Sequence, residues 1–328
     1  MTQRTVPQAA SRRVLGAILA GLLVLGGASA VAANEPPLPL AAEDLGVDGY
    51  SGYAERVAPA APAAEAQPEP AAPASTPEPT TSPPPTASPT PEPDPIGIDI
   101  SYPQCGSEFP ETFGFAIVGV NGGRVYSENP CLGTGDGPSQ LAWAGRETQL
   151  YVNTGNPGPR DSRYWPVGQD EPRPCDPSDV DSIDCAYTYG WNAAHAAHEM
   201  ALEAWIEVGW ADADATILPD ETTWWLDVED ANSWRQDIAH NIAALHGMVD
   251  ALTSLEVGEI GFYSTPGLWD RITGGSHAFS AYPAWHAGAS DEADAAARCT
   301  EEDAFTGGEL RMVQWVQDGV DHNLRCDI

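Results

Sequence analysis

Lysine is absent from the 328-residue sequence, in which all 14 basic residues are arginine and stand against 48 acidic residues. This absence excludes catalysis through a Schiff-base lysine, a phosphate-loop lysine or a serine–lysine dyad. The formal net charge of −34 repels the phosphate backbone of nucleic acids and anionic membrane surfaces. The sequence therefore predicts a protein with no nucleic-acid partner and a substrate that is not strongly anionic.

A Cys-x-x-Cys pair is also lacking, which argues against a zinc site and against a redox motif. His195 and His198 lie three apart on a predicted helix, but no carboxylate or cysteine completes a metal site, so we expect no metal and no cofactor. The six cysteines all follow residue 96, at Cys105, Cys131, Cys175, Cys185, Cys299 and Cys326. An even number in an exported chain predicts three disulfides. Of the fifteen connectivities, we expect the one that joins sequence neighbours: 105–131, 175–185 and 299–326.

The first 33 residues carry the pattern of an export signal. A segment with three arginines precedes the apolar run Val14–Gly27, and small-residue cleavage patterns follow within residues 28–33. An uncleaved membrane anchor is the alternative, because residues 14–33 approach the length that spans a bilayer. In either case we expect the rest of the protein to be secreted or held at the cell surface.

Residues 34–95 form a proline-rich segment that contains 17 of the 31 prolines, mixed with Ala, Glu, Ser and Thr. The segment has no apolar periodicity and cannot bury a core, so it is predicted to be a disordered, extended spacer. Folded sequence is expected from residue 96 to residue 328, with all the cysteines inside it.

Short apolar runs alternate with longer helical stretches after residue 96. The predicted strands are Ile96–Ile100, Phe115–Val120, Gln149–Asn153, Thr223–Val228, Ile260–Tyr263, Ala284–His286 and Arg311–Val316, with an eighth expected after Gly319. The predicted helices are Ser139–Arg146, Tyr189–Val208, Trp234–Leu255 and Pro266–Ile272, and Asn232 or Ser233 is the expected cap of the third. This alternation predicts an α/β fold with a parallel sheet, closed into an irregular (β/α) TIM-like barrel.

Four acidic residues lie near the ends of predicted strands. Asp227 and Glu229 close the fourth strand and, two positions apart, point to the same face. Two carboxyl groups held close together oppose each other's ionisation, so one of them can keep a proton and act as a general acid. Asp99 ends the first strand and Asp321 follows the seventh. First and last strands are neighbours in a closed barrel, so all four carboxyls are expected at one mouth.

Aromatic residues end three other predicted strands, at Tyr263, Trp285 and Trp315. Aromatic faces beside carboxylates suit a sugar ring, whose apolar face stacks while its hydroxyls reach acceptors. Ordinary core packing is the alternative for each of them, and it is the interpretation we favour for Trp224 and Trp315.

Five short motifs occur in order along the chain: Gly-Ile-Asp-Ile-Ser, Trp-Leu-Asp-Val-Glu, Gly-Phe-Tyr-Ser, Ala-Trp-His-Ala, and Val-Gln-Trp followed by Val-Asp-His-Asn. In order and spacing they resemble the glycoside hydrolase family 25 lysozymes, the Chalaropsis-type N-acetylmuramidases. The resemblance implies an irregular barrel of glycoside hydrolase type with Glu229 as catalytic acid, Asp227 as supporting aspartate, and Asp99 and Asp321 in the groove. The residues that we expect to bind the sugar are Tyr263, Trp285, Asn153 and Gln314.

The sequence departs from that family in three places. The third strand reads Tyr151-Val152-Asn153-Thr154-Gly155-Asn156, the interval from Gln314 to Asp321 is short, and residues 155–185 form a cysteine-bearing insertion expected near the mouth. Two functions therefore stay open. One is an exported, monomeric hydrolase of peptidoglycan or a related N-acetylated wall glycan. The other is a catalytically silent carbohydrate-binding or wall-associated module. The expected partner is a cell-wall polysaccharide in both cases, with no obligate protein partner.

Overall fold

A computed structural model of the protein describes residues 94–326, apart from positions 136, 161, 214, 216, 217, 219–221 and 300–303. The predicted export signal, residues 1–33, and all but two residues of the predicted spacer lie outside the described residues. Within these ranges, no helix has the length and apolar character required to cross a membrane.

Eight strands form one closed barrel, in which each strand pairs with the next along the chain and the last pairs with the first. They are β1 (Ile96–Ile100), β2 (Phe115–Gly119), β3 (Gln149–Asn153), β4 (Trp224–Asp227), β5 (Ile260–Ser264), β6 (Ala284–Ala289), β7 (Leu310–Gln317) and β8 (Val320–Arg325). Neighbours from β1 to β7 are parallel, whereas β8 is antiparallel to both β7 and β1. The predicted irregular barrel is confirmed, and each predicted strand is present.

The direction of β8 follows from its short connection to β7. Only Asp318 and Gly319 separate the two strands, and both have positive φ, 54° and 79°. A two-residue turn with positive φ at both positions matches the twist of an antiparallel hairpin. A parallel connection would require a dozen or more residues. The expected parallel sheet therefore holds for β1 to β7, and β8 departs from it.

Helices cover the outside of the barrel. They are α1 (Gln140–Ala144), α2 (Ile183–Glu207), α3 (Ile238–Ser254), α4 (Pro266–Thr273) and α5 (Glu292–Arg298), and a single 3₁₀ turn spans Tyr102–Gln104. The sequence analysis did not predict α5, which begins where the Asp291 carboxylate accepts a hydrogen bond from the backbone N–H of Asp294 at 2.8 Å.

Two predicted helix starts are corrected by the caps that the structure contains. Helix α2 begins six residues before the predicted Tyr189, because the Ser182 hydroxyl accepts a hydrogen bond from the backbone N–H of Cys185. Helix α3 is capped by Asp237 rather than by Asn232 or Ser233, and the Asp237 carboxylate accepts from the backbone N–H of Ala239 at 3.0 Å.

Two hydrophobic layers hold the barrel. Inside it, Phe115, Ile117, Trp225, Trp285 and Met312 form one buried cluster below the edge where the parallel strands end. Between strands and helices, a larger cluster contains neighbouring strand residues together with apolar residues of α2 and α3. The alternation of side chains along each strand assigns neighbours to opposite layers. The predicted core positions are confirmed, since Trp224 is 0% and Trp315 2% exposed.

The three disulfides join Cys105 to Cys131, Cys175 to Cys185 and Cys299 to Cys326, as predicted. The first ties the loop after β1 to the loop before α1, and the second closes the end of the insertion onto α2. The third ties the end of α5 to the residue that follows β8.

Helices α2 and α3 approach each other through two glycines. A Cβ atom added to Gly190 would lie 1.8 Å from the carbonyl oxygen of Ala244, and one added to Gly247 would lie 1.9 Å from that of Tyr187. Neither backbone can move aside without displacing its helix. Only glycine fits at these two positions, and the two helices can therefore pack closely against each other.

We expect Gly190→Ala to lower the free energy of unfolding by about 1–3 kcal/mol, because the added methyl group overpacks a helix contact. Gly267→Ala is the matched control, since α4 leaves open space around that position. Alanine favours a helix over glycine by up to about 1 kcal/mol, so the control should be neutral or stabilised. Urea unfolding of both variants measures the difference, and equal stabilities would contradict the close approach of α2 and α3.

Candidate active site

Acidic side chains reach one edge of the barrel from different strands. Asp99 of β1 is directly opposite Asp321 of β8 in the antiparallel register. Asp227 ends β4 and is aligned with Asn153 of β3 and Tyr263 of β5. The carboxyl ends of the parallel strands and the start of the antiparallel β8 lie at the same edge, so these groups converge there.

A cavity of about 290 Å³ opens at this edge, and we call it the cleft. Its walls contain every residue that the sequence analysis selected as catalytic or sugar-binding, namely Asp99, Asp227, Glu229, Asp321, Asn153, Tyr263, Trp285 and Gln314. The structure therefore brings all eight together, while their roles stay predictions.

The Asp99 carboxyl group is 7% exposed and is held by amides. Gln314 Nε2 and Asn323 Nδ2 both donate hydrogen bonds to its Oδ2, at 2.9 and 2.8 Å. The Tyr263 hydroxyl donates to Gln314 Oε1 at 2.8 Å, which fixes the orientation of that amide. Burial, followed by the charge of Asp321, raises the pKa of Asp99 to about 7 in spite of the two donors. Asp99 can therefore keep its proton up to neutral pH.

Asp227 is 4% exposed and has one satisfied carboxyl oxygen. Asn153 Nδ2 donates to Oδ2 at 2.6 Å, whereas Oδ1 is buried and has no hydrogen-bond partner within the described part of the chain. Burial raises the pKa of Asp227 well above its usual value, and the charge of Glu229 raises it further. Asp227 thus lines the cleft with one carboxyl oxygen paired to Asn153 and the other left without a partner among the described residues.

Glu229 lies two residues beyond the end of β4 and is partly exposed. Trp234 Nε1 donates to its backbone carbonyl at 2.7 Å and so holds the segment that carries it. Burial raises the pKa of Glu229, and the charges of Asp230 and Asp321 raise it further. A carboxyl group with a raised pKa that solvent and ligands can reach is suited to donate a proton near neutral pH.

Aromatic rings form the floor of the cleft. Trp285 is only 1% exposed, because the rings of Tyr263, Trp225 and Tyr151 pack around it at centroid distances of 4.5, 5.8 and 6.3 Å. A sugar can contact little of the Trp285 ring, which limits the stacking role expected for it. Tyr102 is 45% exposed in the wall of the same cleft and offers a more accessible face.

The sequence analysis missed several residues of the cleft. Tyr102 and Gln104 belong to the 3₁₀ turn after β1, Tyr151 comes from β3, and Asn323 donates to Asp99 from β8. Nearness in sequence to a selected acid was a usable signal for two of them. Tyr102 follows the Gly-Ile-Asp-Ile-Ser motif directly, and Asn323 ends the Val-Asp-His-Asn motif.

The two histidines of α2 do not line the cleft. His198 Nε2 accepts a hydrogen bond from the backbone N–H of Leu218 at 3.3 Å, and its ring stacks on Trp224. The His195 ring packs against Trp191. Burial lowers the pKa of both histidines. Among the described residues, no group of three or more His, Cys, Asp or Glu side chains is arranged to hold a metal ion.

The buried Asp99 carboxyl should make stability depend on pH. Its pKa is about 7 in the folded state against 3.8 for an ordinary aspartate. Between these values the folded state binds more protons than the unfolded state, so the free energy of unfolding falls as the pH rises. Asp99→Asn should remove up to about 4 kcal/mol of this fall.

Urea unfolding of Asp99→Asn at several pH values between about 4 and 8 measures this effect. Asp318→Asn is the matched control, because Asp318 is exposed in the β7–β8 turn and loses the same charge. The control should retain the pH dependence of the wild type. An Asp99→Asn profile as steep as that of the wild type would show that Asp99 ionises freely.

Residues 220–306 match the family model described as Lysozyme-like protein 1. This segment extends from just before β4 to just before β7 and contains Asp227, Glu229, Tyr263 and Trp285. A search of curated proteins returned no match.

Three solved structures illustrate what the chain is similar to. A bacterial lysozyme of Streptomyces coelicolor is 13% identical, with 71% of this chain and 92% of that chain covered and a TM-score of 0.44. A muramidase of Trichobolus zukalii is 17% identical, with coverage of 70% and 92% and a TM-score of 0.37. A glycosyl hydrolase 25 of Streptococcus pneumoniae is 16% identical, with coverage of 71% and 87% and a TM-score of 0.40. The resemblance to lysozymes that the sequence motifs indicate is confirmed by the family-model match, which includes the strand end that carries Asp227 and Glu229.

Proposed function

We propose that the protein is a glycoside hydrolase that cleaves peptidoglycan or a related N-acetylated cell-wall glycan. The observation that carries this proposal is the pair Asp227 and Glu229 in an aromatic-lined cleft, where burial raises the pKa of both carboxyl groups. Glycosidic bond cleavage requires a proton for the leaving oxygen and negative charge or a nucleophile at the anomeric carbon. A pair of carboxyls whose pKa values are both raised holds a proton more readily than ordinary carboxyls, and so provides the first requirement and part of the second.

Glu229 acts as the general acid in this proposal. It is the more accessible member of the pair, and the bond from Trp234 to its backbone carbonyl holds it in place. As the bond between the anomeric carbon and the leaving oxygen breaks, the electron pair moves to that oxygen, which takes the Glu229 proton. The resulting carboxylate then takes a proton from the water that attacks the anomeric carbon.

Asp227 supports the sugar rather than attacking it. Two positions in sequence place the two carboxyls too close together to act from opposite sides of a sugar ring. The acetamido carbonyl of the substrate is therefore the nucleophile that we propose. Its oxygen bonds to the anomeric carbon as the leaving oxygen departs, and the water that Glu229 deprotonates then attacks that carbon, breaks this bond and restores the acetamido group. The unpartnered Oδ1 of Asp227 accepts the acetamido N–H, and Asn153 stabilises the ionised form of this carboxylate.

The remaining groups of the cleft tune the pair and hold the sugar. The charge of Asp321 raises the pKa of Glu229, and that of Asp99 raises the pKa of Asp227. Tyr263 forms the floor beneath the sugar and is supported from below by the buried Trp285, and Gln314 is held by Tyr263 beside the sugar. These residues and Asn153 are the sugar-binding set in our proposal.

We also propose that the hydrolase is exported and acts as a monomer on the wall polysaccharide outside the cell. Three disulfides in the described part of the chain fit an oxidising compartment. In this proposal, residues 1–33 direct export. Residues 34–95 are an extended spacer that lets the unit from 96 to 328 reach wall glycan some distance from the membrane.

Glu229→Gln should lower turnover on purified cell walls by about 100-fold or more, with little change in binding, because the amide has no proton to give. Release of reducing sugar and mass spectrometry of the products measure the reaction. Glu203→Gln is the control, since this exposed glutamate of α2 loses the same charge away from the cleft.

Wild-type turnover by Glu229→Gln would contradict its role as the acid. A wild-type protein that binds wall glycan but releases no sugar would instead support the silent carbohydrate-binding module.

Asp321→Asn should shift the alkaline limb of the rate profile to lower pH. The charge of Asp321 raises the pKa of Glu229, so its removal lets the general acid lose its proton at a lower pH. The pH dependence of kcat for wild type, Asp321→Asn and the exposed control Asp318→Asn measures the shift. If the alkaline limb is unchanged in Asp321→Asn, the charge of Asp321 does not set the pKa of the general acid, and the prediction is contradicted.

A further inference from the structure

A second cavity of about 200 Å³ adjoins the cleft, and we call it the Arg124 compartment. The two cavities meet along two chain segments. Gly123 and Ala231 line the cleft, while the next residue of each segment, Arg124 and Asn232, lines the compartment. The two segments therefore form a shared wall, and a ligand in the cleft that extends past this wall would reach the compartment.

The insertion at residues 155–185 builds the far wall of the compartment. Gly155 and Pro157 line it, and the backbone N–H of Asn156 donates to the carbonyl of Ser233 at 2.8 Å. A Cβ atom on Gly155 would lie 3.1 Å from the same carbonyl, so the insertion lies tightly against the segment after β4. The insertion thus forms a binding wall rather than a remote loop.

Arg124 is an exposed cation without a carboxylate partner in the part of the chain that the structure describes. Its Nη1 donates to the backbone carbonyl of Ala231 at 3.1 Å, which holds the guanidinium at the junction of the two cavities. The nearby acid Asp230 is paired with Arg271 instead. In a protein with 48 acidic residues and 14 arginines, an arginine left unpaired beside a cleft is free to bind an anion.

Asn232 adds an unused hydrogen-bond donor. The residue is 8% exposed, and its Nδ2 is buried without a partner among the described residues. Asn156, between two lining residues, is 0% exposed, and neither of its side-chain polar atoms has a partner in the same set. Buried amides without partners cost free energy. Asn232 lines the compartment, so an acceptor that binds beside it would recover part of that cost.

We propose that the Arg124 compartment binds a carboxylate of a short acidic peptide attached to the wall glycan, while the sugar occupies the cleft. This inference rests on the proposed function and names its substrate more closely. A neutral sugar hydroxyl would not need a guanidinium, whereas a carboxylate matches one cation and a neighbouring amide donor. The exposed ring of Tyr126, 52% accessible in the wall, provides an apolar surface for the peptide. The overall negative charge of the protein repels an acidic substituent, and the positive charge of Arg124 offsets this repulsion locally.

Binding of two matched ligands tests the proposal without requiring turnover. One is an N-acetylated disaccharide that carries a short acidic peptide, and the other is the same compound with its peptide carboxyls amidated. Calorimetric titration in the Glu229→Gln background should show the acidic ligand bound roughly tenfold more tightly, with the advantage falling as salt is raised. Arg124→Gln should remove this advantage and leave the affinity for the amidated ligand within about twofold.

Arg146→Gln is the matched control, because Arg146 is also exposed and also donates to a backbone carbonyl, that of Trp210 at 3.3 Å, away from the cleft. It should retain the full advantage of the acidic ligand. Asn232→Ala should reduce the advantage without lowering the melting temperature, since it removes a donor that has no partner in the free protein.

Equal affinity of the wild-type background for both ligands would overturn the proposal. So would an Arg124→Gln variant that loses affinity for both ligands alike, because Arg124 would then act only by holding the Ala231 segment. Cleavage of the disaccharide-containing glycan by the wild type tests the hydrolase function separately. If the protein prefers the acidic ligand but cleaves no glycan, the carboxylate site in the compartment is supported and the proposed hydrolase function is contradicted.

Discussion

The antiparallel pairing of β8 with β1 is the interaction on which the cleft depends. It places Asp321 opposite Asp99 and brings Asn323 within 2.8 Å of the Asp99 carboxyl. Gln314 of the adjoining β7 supplies the second amide. Burial and the charge of Asp321 favour the protonated form, and the amides favour the ionised form. The balance leaves Asp99 with a pKa of about 7, so this carboxyl can exchange a proton close to neutral pH.

Most of the site could be predicted because the sequence shows where strands end. Apolar runs stop at Asp99 and Asp227, and in a barrel the ends of parallel strands meet at one edge. The spacing of two between Asp227 and Glu229 predicts that both carboxyls lie on one face of the strand end and interact. The disulfides followed the simplest rule, pairing of neighbours along the chain. Local patterns were sufficient wherever one strand or one loop determined the outcome.

Features that need several distant segments could not be predicted. The Arg124 compartment combines the segments around Arg124, Gly155 and Asn232, which no periodicity connects. The cover over Trp285 depends on rings from three other strands. The antiparallel direction of β8 has a local sequence signal, because Asp318-Gly319 is typical of a two-residue hairpin turn. The helix–strand alternation of the rest of the chain predicted a parallel sheet instead. Helix starts differed for a further reason, since several Ser, Asn and Asp residues compete as caps within a few positions.

The last strand also determines when the protein can become a barrel. Partners such as Asp99 and Asn323 are 224 positions apart, so β1 keeps an open edge until nearly the whole chain has been made. Strand β7 has a second open edge until then, and open edges pair readily with other chains. The Cys299–Cys326 bond joins the residue after β8 to the end of α5, so it holds the end of β8 covalently on the β7 side and leaves the contact with β1 to hydrogen bonds and packing. A chain that ended just before β8 would therefore be an open, self-associating sheet and not a shorter version of this protein.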